Sequence, residues 1–173
     1  MKYTILNKII KSLFTLVLLL TIASCEQQES VPDDSGIIVS EIVGGWWVIA
    51  LEPDGTTPAY GGDYVKFNTY NSSMNDLTFW LDDNGEWMEL KAKATVDLSS
   101  LTFSSDEDTT EYYTDETVTI TNGKFTKNSY TTTSNTVVDE IMFEAEFSWD
   151  PGIVYIFKGH KNTGIIADQN PHY

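Results

Sequence analysis

The stretch Asp76–Leu98, DLTFWLDDNGEWMELKAKATVDL, decides the fold class. At its centre stands Asn84-Gly85, a dipeptide that accepts positive φ at both positions, as a two-residue type I′ hairpin turn requires. A turn there sets Leu81 opposite Met88, Phe79 opposite Leu90 and Leu77 opposite Ala92. The other face then carries Asp82 opposite Trp87, Trp80 opposite Glu89, Thr78 opposite Lys91 and Asp76 opposite Lys93. One face is apolar and the other mostly polar. A slip of one residue would mix them, because successive side chains of a strand point to opposite faces. The stretch predicts a half-buried antiparallel hairpin in an all-β domain.

The flanking sequence repeats the theme. Met88 to Leu98 alternates apolar and polar residues for eleven positions, a length that suits a barrel or a strongly coiled sheet. Asn122-Gly123 reads as a second hairpin turn, with Ile120 facing Phe125. Ile141, Phe143, Ala145, Phe147 and Trp149 line one face of a later strand, and Glu140, Glu144, Glu146 and Ser148 the other. Asp150-Pro151-Gly152 turns the chain into a last apolar strand, Ile153–Lys158. Upstream, Trp46–Leu51 and Asp63–Tyr70 read as strands. The tally is about eight to ten strands and no long amphipathic helix. Short connections favour an antiparallel up-and-down barrel over a Greek-key sandwich. A barrel of about eight strands holds either packed side chains or one small ligand. The residues expected to line it, and to bind a lipid or other small apolar or amphiphilic ligand, are Phe79, Leu90, Ala92, Phe143, Phe147 and Ile156. Small Ala92 and Ala94 fit either an open cavity or tight packing against large rings.

The ends of the chain carry addressing information. Lys2, Lys8 and Lys11 precede an apolar run, Leu13–Ala23, that ends in Ile22-Ala23-Ser24-Cys25. The run is shorter than the ~20 apolar residues a membrane span needs, and reads as a secretory signal. The small residues before the cysteine resemble the lipobox of bacterial lipoproteins, which makes Cys25 the lipidated first residue of the mature chain. Cys25 is the only cysteine, so no intrachain disulfide forms. The expected organisation is a signal peptide over 1–24, a lipidated cysteine and flexible tether over 25–40, and a barrel domain over 41–173. Loss of the leader removes three of ten lysines and none of the 26 acids, which takes the net charge from −16 to −19. There is no arginine. Such a chain is poorly suited to nucleic acid or anionic headgroups, which are held by clustered cations.

Several spaced elements together resemble one family. They are Gly44-x-Trp46, Gly62-Asp63-Tyr64-Val65-Lys66-Phe67, Thr69-Tyr70-Asn71, Asp76-x-x-x-Trp80-x-Asp82-Asp83, Asn122-Gly123-Lys124 and Gly159-His160-x-x-Thr163-Gly164. The set resembles the Bacteroidetes lipoproteins named lipid-binding putative hydrolases, over roughly Val43 to Asp168. The resemblance implies a calycin-like barrel, the superfamily of lipocalins, and an outer-membrane location in the cell envelope. In lipocalins the Gly-x-Trp tryptophan closes the barrel floor under an arginine. Here Lys158 or Lys161 has to take that place.

Catalytic chemistry is hard to find. The sequence has no Gly-x-Ser-x-Gly elbow and no His-Glu-x-x-His helix. His160 and His172 are the available imidazoles. A His160–Asp168 pair serving a hydrolase is one reading, and a turn histidine that holds the final strand is the other. Asp82-Asp83 and Asp139-Glu140 are paired acids of the sort that flank turns anyway. The acidic stretch Ser104–Glu116 lacks a twelve-residue calcium loop and reads as a solvated rim, so no metal and no cofactor are expected. Trp80 and Trp87 fall as diagonal neighbours on the polar face of the hairpin, either as a glycan-stacking platform or as a surface covered by a loop.

Overall fold

The computed structural model describes residues 36–86 and 88–169. Among the described residues nine strands form one antiparallel sheet: β1 (Gly44–Leu51), β2 (Val65–Asn71), β3 (Thr78–Asp82), β4 (Lys91–Asp97), β5 (Thr102–Ser104), β6 (Thr109–Thr110), β7 (Thr117–Thr131), β8 (Val137–Phe147) and β9 (Val154–Lys161). Their order is β5-β4-β3-β2-β1-β9-β8-β7-β6, and a further pairing of β5 with β7 closes the circuit. Eight strands thus make an up-and-down barrel, and β6 adds to the outside edge of β7. Closure removes the exposed sheet edges that an open sheet of this length would present.

The strand registers define two ends. β1 starts where β2 finishes, with Gly44 opposite Thr69, and it finishes beside the start of β9, with Leu51 opposite Ile156. At the first end lie the segment 36–43, the β2–β3 turn, the β4–β5 turn, the β7–β8 turn and residues 162–169. At the second lie the connections 52–64, 83–90, 111–116 and 148–153.

Alternation puts one face of each strand inside. Phe67, Phe79, Phe103, Phe125, Phe143, Phe147 and Phe157 all lie in one buried cluster with Leu81, Leu90, Ala92, Ile120 and Ile141. Their rings form a connected column: Phe79–Phe103 at 5.3 Å, Phe103–Phe125 at 4.9 Å, Phe103–Phe143 at 6.0 Å and Phe143–Phe157 stacked at 4.5 Å. Aromatic separations of 4.5–7 Å are contact distances, so this column fills the width of the barrel with rings. Ala92 and Ala94 are the small partners that let the rings meet.

The first hairpin departs from its predicted register. Asp82 pairs with Lys91, Leu81 with Ala92, Trp80 with Lys93, Phe79 with Ala94 and Thr78 with Thr95. The connection is 83–90, not Asn84-Gly85 alone. The cause is Asp83, whose buried carboxylate accepts the Gly85 and Met88 N–H groups at 2.9 and 3.0 Å, while its own N–H donates to the Leu90 carbonyl at 2.9 Å. The loop so capped uses left-handed backbone at Asn84, Gly85 and Glu89. The slip is four residues, an even number, so inward residues stay inward. Leu77 is the exception: it precedes β3 and is 44% exposed.

Asn122-Gly123 is not a hairpin turn. β7 runs through it, and the dipeptide forms an irregularity at which pairing with β8 shifts between Thr121 and Lys124. Ile120 pairs with Ala145 and Phe125 with Ile141. Here β5 closes the barrel, Phe103 pairing with Gly123. A Cβ on Gly123 would lie 2.3 Å from the Phe103 ring, so only glycine lets the ring cross the strand. The left-handed Asn122 supplies the local bend of a bulge.

Two further expectations need correction. Ile156 does not line the interior: Tyr155 and Phe157 point inward, while Ile156 faces outward, opposite Leu51 and Glu144 and beside Gly55. Residues 36–40, assigned by composition to the tether, carry Val39 into the core beside Ile42. The polar tether composition ends before Ile37, which packs against the same cluster as Val39.

Candidate functional site

The first end of the barrel is plugged. Trp46 donates its indole N–H to Thr69 Oγ1 at 2.9 Å, and that hydroxyl donates to the Ile42 carbonyl at 2.5 Å. The Trp46 ring packs on Phe125 at 5.4 Å, and Lys161 Nζ sits 5.6 Å from the Trp46 ring. Lys161 therefore occupies the cationic position over the floor tryptophan, in the way a cation is attracted to an indole face.

The second end holds a cavity of about 390 Å³ lined by Tyr60, Met88, Glu89, Thr114, Glu116 and Trp149. Four separate connections supply these residues. Its aromatic wall continues into the core, because Trp149 stacks on Phe147 at 5.0 Å and lies 6.0 Å from Tyr155, while Tyr60 meets Trp149 edge-on at 6.2 Å. The Tyr155 hydroxyl donates to Asp150 at 2.6 Å and lies 3.3 Å from that of Tyr60. Burial, reinforced by the hydrogen bond to Asp150, pushes the Tyr155 phenol far above its ordinary pKa. Tyr60 and Trp149 are 52% and 40% exposed, whereas Phe147 below them is buried.

Three buried carboxylates fix the loops that shape this mouth. Asp83 caps the 83–90 loop, as above. Asp82 accepts hydrogen bonds from the Tyr70 and Tyr113 hydroxyls at 2.6 and 2.7 Å and from the Asn84 N–H at 2.8 Å, and pairs with Lys91 at 3.0 Å. Burial raises the Asp82 pKa, but these bonds outweigh it and hold the carboxyl below its ordinary value. Glu111 accepts the N–H groups of Lys91, Tyr113 and Thr114. It ties the 111–116 segment to the start of β4, where β5 no longer pairs.

The residues singled out from the sequence fall in several places. Phe79, Leu90, Ala92, Phe143 and Phe147 lie in the core, and of these Phe147 reaches the mouth through Trp149. Ile156 lies on the outer wall. His160 sits near the plugged end, buried, stacked on Tyr130 at 4.4 Å and 6.0 Å from Tyr64. Its Nε2 lies 3.3 Å from the backbone carbonyl of Asp168, not from the carboxylate. That carboxylate instead accepts from Ser134 N and Oγ and from Thr163 Oγ1, at 2.7–2.8 Å. Burial pushes the His160 pKa down, against the opposing pull of the Asp168 carbonyl and the nearby acids Asp168 and Glu140. The histidine and aspartate are thus neighbours joined as a latch, with the C-terminal 3₁₀ turn, Ile166–Asp168, held on β9 and on the β7–β8 turn. Trp80 stacks with Tyr70 at 6.4 Å, meets Tyr112 edge-on at 4.9 Å and carries Lys93 Nζ at 4.9 Å. Cys25, Trp87 and His172 lie outside the described residues.

Sequence reasoning missed Tyr60, Thr114 and Glu116, and placed Met88 and Trp149 only as faces of strands. Tyr60 had one usable signal: an aromatic residue directly before Gly61-Gly62, in a connection rich in Gly, Thr and Pro.

An eight-stranded up-and-down barrel with a tryptophan-plugged floor and one aromatic mouth defines a calycin-like barrel. The family model described as lipid-binding putative hydrolase matches residues 31–166. The chain belongs to that family. No curated protein matches it.

Proposed function

We propose that this protein is a lipid-anchored cell-envelope protein of the outer membrane that binds the apolar part of an amphiphile at its aromatic mouth. The observation that carries the reading is the cavity of about 390 Å³ between Tyr60, Met88 and Trp149, directly above a column of packed rings. Its size is within the ~300–1,000 Å³ of small-molecule sites. Because the rings occupy the barrel, the acyl chain lies against the mouth and does not thread to the floor. Membership of a lipid-binding family supports the same ligand class. Glu89 and Glu116 line the cavity and Asp150 stands behind it, so the headgroup is neutral or cationic and rich in hydrogen-bond donors. The latch geometry of His160 favours a structural role for it over hydrolysis.

The test uses dodecyl maltoside below its micellar concentration and dodecanoate at equal concentration, read by thermal unfolding. The maltoside raises the melting temperature by mass action, and the carboxylate is repelled. Trp149→Ala abolishes the shift. No shift with the maltoside, or an equal shift in Trp149→Ala, overturns the mouth as the site. The anchor is tested separately: Cys25→Ala releases the chain from the membrane fraction, and retention after a high-salt wash refutes lipidation.

A further inference from the structure

The two ends of the barrel differ in the kind of apolar side chain they expose. Among the described residues, the exposed aromatics Tyr60, Tyr112, Tyr113 and Trp149 all belong to the mouth end. The exposed aliphatics Ile38, Met74, Leu77, Val137, Ile165 and Ile166 all belong to the plugged end, and Met142 on the wall is the one other. Met74 is 76% and Ile166 84% exposed, so these side chains cover no core. They come from four separate pieces of chain that only the fold brings to one end.

We propose that the plugged end is a membrane-docking face. The occupant is the bilayer surface, and the aliphatic side chains enter its headgroup boundary. This rests on the anchor reading above. Two features select this occupant. The described domain begins at residue 36 at this end, joined there by Asn75, which accepts the Ile38 N–H at 3.1 Å and donates to the Gly36 carbonyl at 2.7 Å. Ten residues separate that point from Cys25, a reach of roughly 35 Å even when fully extended, so an anchored barrel stays beside the bilayer. The second feature is charge. Most of the exposed acids, among them Asp106, Glu107, Asp108, Asp115 and Glu116, sit towards the mouth, against exposed Glu41 and Asp97 at the plugged end. At the plugged end Lys127 pairs with Asp139 at 3.2 Å and Glu41 at 3.7 Å, and Lys161 lies over Trp46. The less acidic end is the end that carries the tether. Ile165 and Ile166 are held in place because Ser134 of the β7–β8 turn donates to Asp168 through both N–H and Oγ, at 2.8 Å each. Docked this way, the barrel presents its mouth away from the bilayer, and its ligand is taken from the aqueous side.

The experiment reconstitutes the lipidated full-length mature protein in phosphatidylcholine vesicles with and without lipids spin-labelled near the headgroup. Met74→Trp and Ile166→Trp report the plugged end, and Tyr112→Trp reports the mouth end. The expected result is that the emission gained in the first two is blue-shifted and quenched by the spin label, while that gained in Tyr112→Trp is neither. Vesicle co-sedimentation of the same samples reports the anchor. Sedimentation with equal quenching at both ends, or none at either, overturns the docking face and leaves the anchor standing. A blue shift without spin-label quenching means that protein covers the face, and overturns the proposal too. Failure to sediment overturns both.

Discussion

Phe79→Ala measures whether the barrel is packed or hollow. Phe79 has no exposed surface, meets Phe103 edge-on at 5.3 Å and lies 5.9 Å from Phe125. Removing a ring of this size forfeits about 1.5–3 kcal/mol of transfer free energy. A void of ~100 Å³, somewhat smaller than the ~150 Å³ of well-studied dry cavities, adds about 2.4 kcal/mol at ~24 cal/mol per Å³ if nothing collapses. The sum is about 4–5 kcal/mol, at the upper end of the usual ~3–5 for this substitution. Closed strands on both sides limit collapse, which is why the upper end is expected. Urea unfolding should show a lower midpoint with an unchanged slope. The melting temperature should fall by about 12–20 °C, taking ~3–4 °C per kcal/mol for a domain of this size. A loss below about 1.5 kcal/mol would refute the packed column, because a side chain lining an open cavity creates no new void when truncated. The amphiphile would then enter the barrel itself.

Gly123→Ala should destabilise by about 1–3 kcal/mol or more, since the added methyl meets the Phe103 ring inside a filled core; hydrogen exchange should show protection lost first at Phe103 and Phe125 along the β5–β7 seam, and near-neutral stability would refute the steric account. Thr69→Val removes the acceptor of the buried Trp46 indole N–H and should cost about 1–3 kcal/mol in denaturant unfolding. The His160–Asp168 latch should make the fold acid-sensitive in two windows. The folded His160 pKa lies below the ordinary 6.5 of an imidazole, so its contribution is complete above pH 6.5 and is lost as pH falls towards the folded value. Burial raises Asp168, but hydrogen bonds from Thr163 and Ser134 bring it down to about 2, so its contribution is complete above about 3.8 and is lost between there and about 2. A stability–pH profile of His160→Gln should be flatter below pH 6.5 than that of the wild type, and an unchanged profile would refute the first window.

The sequence by itself determined which faces are inside. Alternation at Phe79-x-Leu81, Leu90-x-Ala92-x-Ala94 and Ile141-x-Phe143-x-Ala145-x-Phe147 is a local property of the strand, and it survived a four-residue error in pairing because that error was even. It pointed to the barrel as well, through long alternation and short connections, whereas the floor tryptophan under Lys158 or Lys161 came with the family resemblance, and the structure chose Lys161. What it left open needed atoms from distant parts of the chain. Both Asn-Gly dipeptides favour left-handed backbone, but that preference is worth less than a buried Asp83 carboxylate satisfied by two N–H groups, or than a Phe103 ring that must cross at Gly123. Ile156 and Phe157 look equally apolar in a strand with apolar residues on both faces, and only pairing with β1 and β8 shows which one meets Phe143. The mouth was illegible for the same reason. Tyr60, Met88, Thr114 and Trp149 lie in four connections, and no periodicity relates them. They meet because closing eight strands into a ring brings their loops to one end.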